Sequence, residues 1–369
     1  MHLPFCAAKC HYCDFYSIAA EGQDIDGTVE AVLVEAARRA PRAPRTVFIG
    51  GGTPSLLDVR QLTRLLDGLE QITGFRASST ETTLESNPES VDEEKARALV
   101  GLGVGRLSIG FQSLEPATLE LFGRVHGVED AFRAYDAARA GGFEEVSIDL
   151  IYAAPGSDPA RWALDLPRVL ALEPNHVSAY ALAFEEETLF SRWLAEGRLQ
   201  AQPEEVELAL FRQTHELLEA AGYSSYEVSN FAPTGHECKH NLNYWANGPY
   251  CGIGPSAVSH RAGRRAGNHK SLASWRKAVQ QGTNTEAWDE RLDARGRLGE
   301  SWWLGLRLRR GVDPAALRAI AGWEDAVDPA DEIARPFLEE GLLETVDGRV
   351  RLTAKGLPLA DAVSRAFLG

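Results

Sequence analysis

Three of the five cysteines in this 369-residue chain, Cys6, Cys10 and Cys13, fall within eight residues in the spacing Cys-x3-Cys-x2-Cys. Three thiolates on one tight loop make a compact site for a soft metal, and Lys9 beside them offsets part of their charge. A closed structural zinc or iron–sulfur site takes four protein ligands, so three leave one coordination position for an exogenous group. The spacing alone also permits zinc with His2 or His11 as the fourth ligand. An odd cysteine total with this clustering is a poor disulfide framework. A second chemical cue is the run Gly50-Gly51-Gly52-Thr53, where missing side chains let backbone groups approach a ligand, although a tight turn uses glycine in the same way. A third is His240-Asn241-Leu242-Asn243-Tyr244-Trp245, an imidazole among aromatic side chains. Cys238 lies two residues before it. It is a further candidate ligand, but Cys238 and Cys251 read equally as buried inert thiols.

These residues need a scaffold, and the hydrophobic periodicity supplies one. A helix is expected from residue 28, then strand 46–49, strand 82–86, helix 90–101 with Ser90 and Glu93 as a capping box, strand 106–111 and helix 127–140. Strand 145–152, helix 159–172, strand 176–184, helix 203–221 and a strand over 225–231 follow. Repeated βα units joined by short loops imply a parallel sheet with helices outside it, doubly wound or curved into a barrel. Either architecture collects ligands at the carboxyl ends of its strands, and the cysteine loop follows the first strand. Residues 236–270 carry no clear period and read as a connecting segment packed on the barrel mouth. From 291 onward the pattern is helix, helix, a hairpin at Asp347-Gly348 and a final helix, which predicts a small winged-helix-like domain. The expected organisation is therefore 1–235 for the core, 236–290 for the connection and 291–369 for the terminal domain.

Composition excludes several function classes. Lys plus Arg number 38 against 53 Asp plus Glu, a net charge of −15, so the averaged surface repels polyanions. The terminal domain holds 12 basic against 13 acidic residues, which removes support for a nucleic-acid role despite its wing. Trp302, Trp303, Leu304 and Leu306 read instead as core or as a cover over the barrel mouth. No apolar stretch approaches the roughly 18 residues that span a bilayer, and residues 1–20 show no export-type segment. The expected location is the cytoplasm.

The ordered series HLPFCAAKCHYCDFYS, GGGTPS, LESNP, SIGFQSL, GRVH and SIDLIYAAPG resembles the radical S-adenosylmethionine (SAM) superfamily. The similarity is to the branch containing oxygen-independent coproporphyrinogen III oxidase and the HemW-type heme chaperones, and it runs over essentially the whole chain. It implies an α/β fold, a partial (β/α)6 TIM-like barrel with a small α+β terminal domain. It further implies a [4Fe-4S] cluster on Cys6, Cys10 and Cys13, with SAM on the fourth iron. By residue-by-residue matching, Gly51, Gly52 and Thr53 fall at the methionine end of SAM, while Glu85, Gln112, Arg124 and Asp149 occupy SAM-contacting positions. Carboxylates there accept from the ribose hydroxyls or the amino group, and an Arg pairs with the SAM carboxylate. Tyr12 is placed to cover the adenine, and Ala183 matches an adenosine-side position.

Two departures separate the branches. The oxidase has a further Cys two residues after the third cluster ligand, where this chain has Phe15. The oxidase also carries an N-terminal extension ahead of the motif, whereas this sequence starts close to it, so the expectation is either a start set late or a first strand cut short. The HNLNYW segment matches the HNxxYW signature of the chaperone branch, which makes His240, Tyr244 and Trp245 candidates for heme, because imidazole ligates iron axially and flat aromatic side chains support a porphyrin. The resemblance thus implies delivery of heme to heme-requiring respiratory apo-proteins, with peripheral membrane docking as an option. It leaves open whether SAM is cleaved. The alternatives are oxidative decarboxylation of coproporphyrinogen III and a plain zinc-binding barrel.

Overall fold

The structure, a computed structural model, describes residues 1–324 and 327–368. Six short parallel strands build the central sheet: β1 (His2–Leu3), β4 (Thr46–Gly51), β5 (Glu81–Ser86), β6 (Arg106–Gln112), β7 (Glu145–Tyr152) and β8 (His176–Ala181). They lie side by side in chain order, each paired parallel with the next, and β8 continues antiparallel into β10 (Asn230–Ala232) and β9 (Ser224–Ser225). The sheet stays open, a partial six-stranded barrel. Between β1 and β4 the chain forms a two-residue parallel ladder, β2 (Phe5–Cys6) with β3 (Ile18–Ala19), at the base of the cysteine loop. The expected single strand over 225–231 is two short strands with a turn between them.

Helices α1 (Ile25–Arg39), α2 (Val59–Thr73), the single turn α3 (Phe75–Ser78), α4 (Glu93–Gly101), α5 (Pro116–Phe122), α6 (Val128–Ala140), α7 (Pro159–Leu170), α8 (Leu189–Ala195) and α9 (Glu204–Ala220) follow the strands. The side of each strand that meets the helices is apolar: Ile49, Leu84, Leu107, Ile109, Ile148, Leu150, Val177 and Ala179 are all buried. The alternate residues Thr83, Glu85, Ser108, Ser147, Asp149 and Ser178 turn inward and make the interior polar, as strand alternation requires. Helix α4 is capped by Asp92, which accepts from Lys95 N, and not by the expected Ser90, whose hydroxyl is spent on Asn87 O. Asp92 sits two residues closer to the first helical turn and offers the stronger charge-assisted cap.

Residues 236–290 differ most from expectation. Helix α10 (Lys239–Trp245) lies across the amino ends of the strands, the end opposite the mouth. The first residues of five strands explain this placement, since Thr46, Glu81, Arg106, Glu145 and His176 are polar and seek partners there. Thr46 meets His240, Glu81 accepts from the α10 backbone, Arg106 donates to His236 O, Glu145 pairs with His236, and His176 reaches α10 through Tyr226. The rest of the segment forms a three-stranded antiparallel sheet, β11 (Val258–Arg261), β12 (Arg264–Asn268) and β13 (Glu286–Arg291), with α11 (Leu272–Gln281) packed on α1.

That segment also locks the exposed edge of β1. His2 N donates to Ile253 O, and Leu272 N donates to the Tyr16 hydroxyl. The buried Glu35 carboxylate accepts from Arg39, Asn268, Thr285, Gly254 N and Trp275 Nε1 at 2.5–3.0 Å. Five donors leave the carboxylate fully satisfied, the condition under which a buried charge is tolerated.

A second core gathers Leu298, Trp302, Leu306, Val312, Leu343, Val350, Leu352, Val363 and Phe367. It is built from α12 (Ala294–Gly305), α13 (Pro314–Ala321), α14 (Pro329–Glu339), the hairpin β14 (Leu343–Val346) and β15 (Arg349–Leu352), and α15 (Ala360–Arg365). This is the winged-helix-like pattern with one helix more than the periodicity showed. Trp302 and Leu306 are core residues. The domain packs under the amino ends of the strands, where Asn247 donates to Glu300 and Ser301 and the Arg307 guanidinium stacks on Trp245, so it is no cover over the mouth.

Candidate functional site

At the carboxyl ends of the strands one hydrogen-bonded network reaches two of the three clustered thiols. Gly52 N donates to Leu3 O and Thr53 N to Phe5 O, which brings the Thr53 hydroxyl to 3.7 Å from Cys6 Sγ. Arg124, just beyond the end of α5, places Nη1 3.4 Å from Cys10 Sγ and donates through Nη2 to Asn87 Oδ1 and Gly110 O. Asn87 donates to Thr53 Oγ1 and closes the circuit. A Cβ on Gly52 would stand 2.4 Å from Phe5 O, and Gly51 has φ +120°, so neither position admits a side chain.

Cys6 ends β2, and Cys10 and Cys13 follow in the loop before β3. Burial raises the Cys6 thiol and pushes that of Cys13 up to about 11, which keeps both protonated until a cation compensates them. His2 and His11 each commit a ring nitrogen to a backbone carbonyl, Tyr16 O and Leu121 O. Among the described residues no three His, Cys, Asp or Glu side chains converge on a single-ion site.

Deeper in the mouth, Glu85 Oε2 accepts from Gly51 N at 3.1 Å, and Asp149 accepts from Ser108 Oγ at 2.8 and 3.0 Å. Burial, reinforced by the charge of Asp149, pushes the Glu85 carboxyl up to about 7, and burial raises Asp149 as well. Gln112 ends β6 at φ +65°, where the β6–β7 register shifts. Left-handed backbone at a non-glycine residue on a strand end marks a site held by its surroundings. Tyr12 packs edge-on against Phe122 at 4.8 Å and near Phe190, inside a small aromatic cluster beneath the loop. Ala183 is exposed, two residues past β8. Two residues at the carboxyl ends of the strands escaped the sequence reading. Asn87 joins Arg124 to Thr53, and its signal was its place directly after a strand in LESNP. Tyr180 follows Asp149 and Ser178 on the inward side of the sheet, visible only as the next alternate position of its strand.

The HNLNYW helix is not part of this network. His240 Nδ1 lies 2.7 Å from Thr46 Oγ1 and its ring stacks on Phe48 at 5.2 Å and 19°. Its Nε2 is 3.2 Å from the Tyr244 hydroxyl, and burial lowers the imidazole to about 4. Cys238 donates to Glu81 and is pushed up to about 12 by burial, the state of an inert thiol.

The amino-acid sequence matches the family model "Radical SAM superfamily" over residues 1–163 and "HemN C-terminal domain" over 292–359. It is 33% identical to the heme chaperone HemW of Bacillus subtilis, with 100% of this chain and 98% of that protein covered. The chain belongs to the HemW family of the radical SAM superfamily. The Escherichia coli HemW is 39% identical over 70% of this chain and 68% of its own length. The mouse mitochondrial radical S-adenosyl methionine domain-containing protein 1 is 32% identical over the whole chain and 86% of its own. The solved coproporphyrinogen III oxidase of Escherichia coli superposes with a TM-score of 0.83 at 24% identity, over 99% of this chain and 88% of that one, which shows a shared fold. Membership of the radical SAM superfamily implies a [4Fe-4S] cluster and SAM. The donor set fits: two thiols receive hydrogen bonds from Thr53 and Arg124, and glycine backbone and buried carboxyls line the adjoining mouth. No described helix is long and apolar enough to cross a membrane.

Proposed function

We propose that this protein is a heme chaperone that receives heme at the floor of its barrel and passes it to heme-requiring respiratory apo-proteins in the cytoplasm or at the membrane surface. The observation that carries this reading is 33% identity to a protein named heme chaperone HemW, over a match that spans the entire chain. Phe15, 64% exposed where the oxidase carries cysteine, points the same way. The division of labour follows the expected boundaries, with 1–235 as cofactor core, 236–290 as the heme-bearing connection and 291–369 as the supporting domain.

At the mouth, Cys6, Cys10 and Cys13 would hold the cluster and Gly51, Gly52 and Thr53 the methionine end of SAM. When bound, the cluster supplies an electron that can cleave the SAM sulfonium. The Arg124 guanidinium balances thiolate charge at Cys10. Glu85 and Asp149 accept from ligand hydroxyl or ammonium groups, and a cation beside them favours their ionised forms. Gln112 is held at the mouth by its left-handed backbone, Tyr12 backs the loop, and Ala183 leaves room on the adenosine side. At the floor, His240 offers an imidazole that stays neutral at physiological pH, with Tyr244 and Trp245 as apolar surface.

Anaerobic reconstitution followed by hemin addition tests the reading. The wild type should develop a Soret band that His240→Ala weakens or shifts, and iron and sulfide should be present. Failure of the wild type to bind heme, or conversion of coproporphyrinogen III to protoporphyrinogen IX, would overturn it. Zinc without sulfide would remove both iron–sulfur readings.

A further inference from the structure

The two ring nitrogens of His240 are not equivalent. Nδ1 points into the barrel floor, 2.7 Å from the hydroxyl of Thr46, the first residue of β4. Nε2 faces outward and, among the described residues, is hydrogen-bonded only to the hydroxyl of Tyr244, at 3.2 Å, from a side chain that is 38% exposed. Phe48 stacks on one face of the ring and fixes its plane. Glu81 accepts from His240 N at 2.9 Å and pins the backbone, while Thr46 and Phe48 are the contacts that orient the ring itself.

Building on the heme reading above, we propose that His240 presents Nε2 to the heme iron, that Thr46 is the positioning residue that holds Nδ1, and that the Tyr244 hydroxyl is a cap that must leave before heme binds. A metal-ligating imidazole gives its second nitrogen to an oxygen, which fixes ring orientation and tunes basicity. Thr46 already occupies that place. A hydroxyl raises ligand basicity less than a carboxylate does, and a modest ligand suits a carrier that must release its cargo. Tyr244 lies one helical turn from His240, edge-on at 5.0 Å. A change of side-chain rotamer therefore uncovers Nε2 with no movement of the helix. On its far side Tyr244 rests against Tyr250 at 4.7 Å, which gives the displaced ring an aromatic neighbour.

The test is hemin titration of the reconstituted full-length protein, with Soret position, affinity and stopped-flow association rate as readouts. Tyr244→Phe keeps the ring and removes the cap's hydrogen bond, so affinity or association rate should rise roughly 2- to 10-fold with the band unmoved. Thr46→Val should bind heme with a shifted Soret band and reduction midpoint, and Thr46→Ser should restore both. Unchanged or weakened binding in Tyr244→Phe would overturn the cap. A Thr46→Val spectrum identical to wild type, or one that Thr46→Ser fails to restore, would overturn the positioning role. Either result leaves the chaperone reading standing if His240→Ala still loses the wild-type spectrum. A wild type that binds no heme, or a His240→Ala protein indistinguishable from it, removes the chaperone reading and this proposal together.

Discussion

The two ends of the barrel treat polar side chains in opposite ways. At the mouth, burial raises the Glu85 and Asp149 carboxyls and the Cys6 and Cys13 thiols above their ordinary ranges, and a bound cation would favour their ionised forms. At the floor, partners come from the chain itself. Glu81 accepts from Cys238, Lys239 N and His240 N, and Glu145 takes His236. Buried polar groups cost free energy unless paired, so the mouth stores an electrostatic deficit that a cationic, hydrogen-bonding ligand relieves, whereas the floor spends its pairing on holding a helix. One end is built to be filled, and the other is built to stay shut until a single side chain moves.

The contrast is broken most completely by Cys10→Ala. It should abolish iron and sulfide retention after reconstitution, while amide exchange across 239–245 stays at the wild-type level. Glu81→Ala attacks the other end. Three donors lose their acceptor, and unfolding free energy should fall by about 2–3 kcal/mol, with early exchange confined to α10 and cluster content preserved. A loss of cluster in that variant would show that the ends are not independent. Arg124→Lys sharpens the mouth alone: the charge remains but the guanidinium fork that spans Cys10, Asn87 and Gly110 is lost, so SAM affinity should drop by roughly 10- to 30-fold in calorimetric titration.

The smallest effect is in pH dependence, and its sign differs between the ends. His240 has a folded pKa of about 4, below its ordinary 6.5, so the unfolded chain binds the extra proton and stability is lost as pH falls from 6.5 toward 4. Glu85 sits at about 7, above its ordinary 4.5, so its contribution is present at low pH and is lost as pH rises through 7. Denaturant unfolding at pH 7 and pH 5 should show the wild type losing about 1–2 kcal/mol more than His240→Phe on acidification. Glu85→Gln should steepen the acid loss by removing the opposing limb.

The parallel sheet, the cysteine loop and the terminal hairpin were legible because each rests on local pattern: alternation, spacing, and Asp-Gly at a turn. Helix α2 was not among the expected elements, although Asp58 caps it and Leu62, Leu65, Leu66 and Leu69 face the core. The location of α10 was not legible in that way. Periodicity says that a segment is irregular, not which end of a barrel it closes. The information lay elsewhere in the chain, in five strands that each begin with a polar residue, and it becomes visible only when those residues are considered as one layer. Arg124 lies at the mouth, but its link through Asn87 to Thr53 was not legible, because it joins residues up to 71 positions apart and depends on three loops meeting.

The latch on the barrel's open edge carries a consequence in time. Tyr16, three residues beyond the last clustered cysteine, receives its hydrogen bond from Leu272, 256 residues later, and Glu35 waits 219 residues for Gly254. At roughly 5–20 residues per second of synthesis, the loop that carries Cys6, Cys10 and Cys13 spends some tens of seconds outside the ribosome before the groups that lock its base exist. Cluster insertion before that point would act on an unlatched loop. The order of the chain therefore favours synthesis first, edge closure second and cofactor loading last, and it makes the thiols most open to oxidation while the protein is still being made.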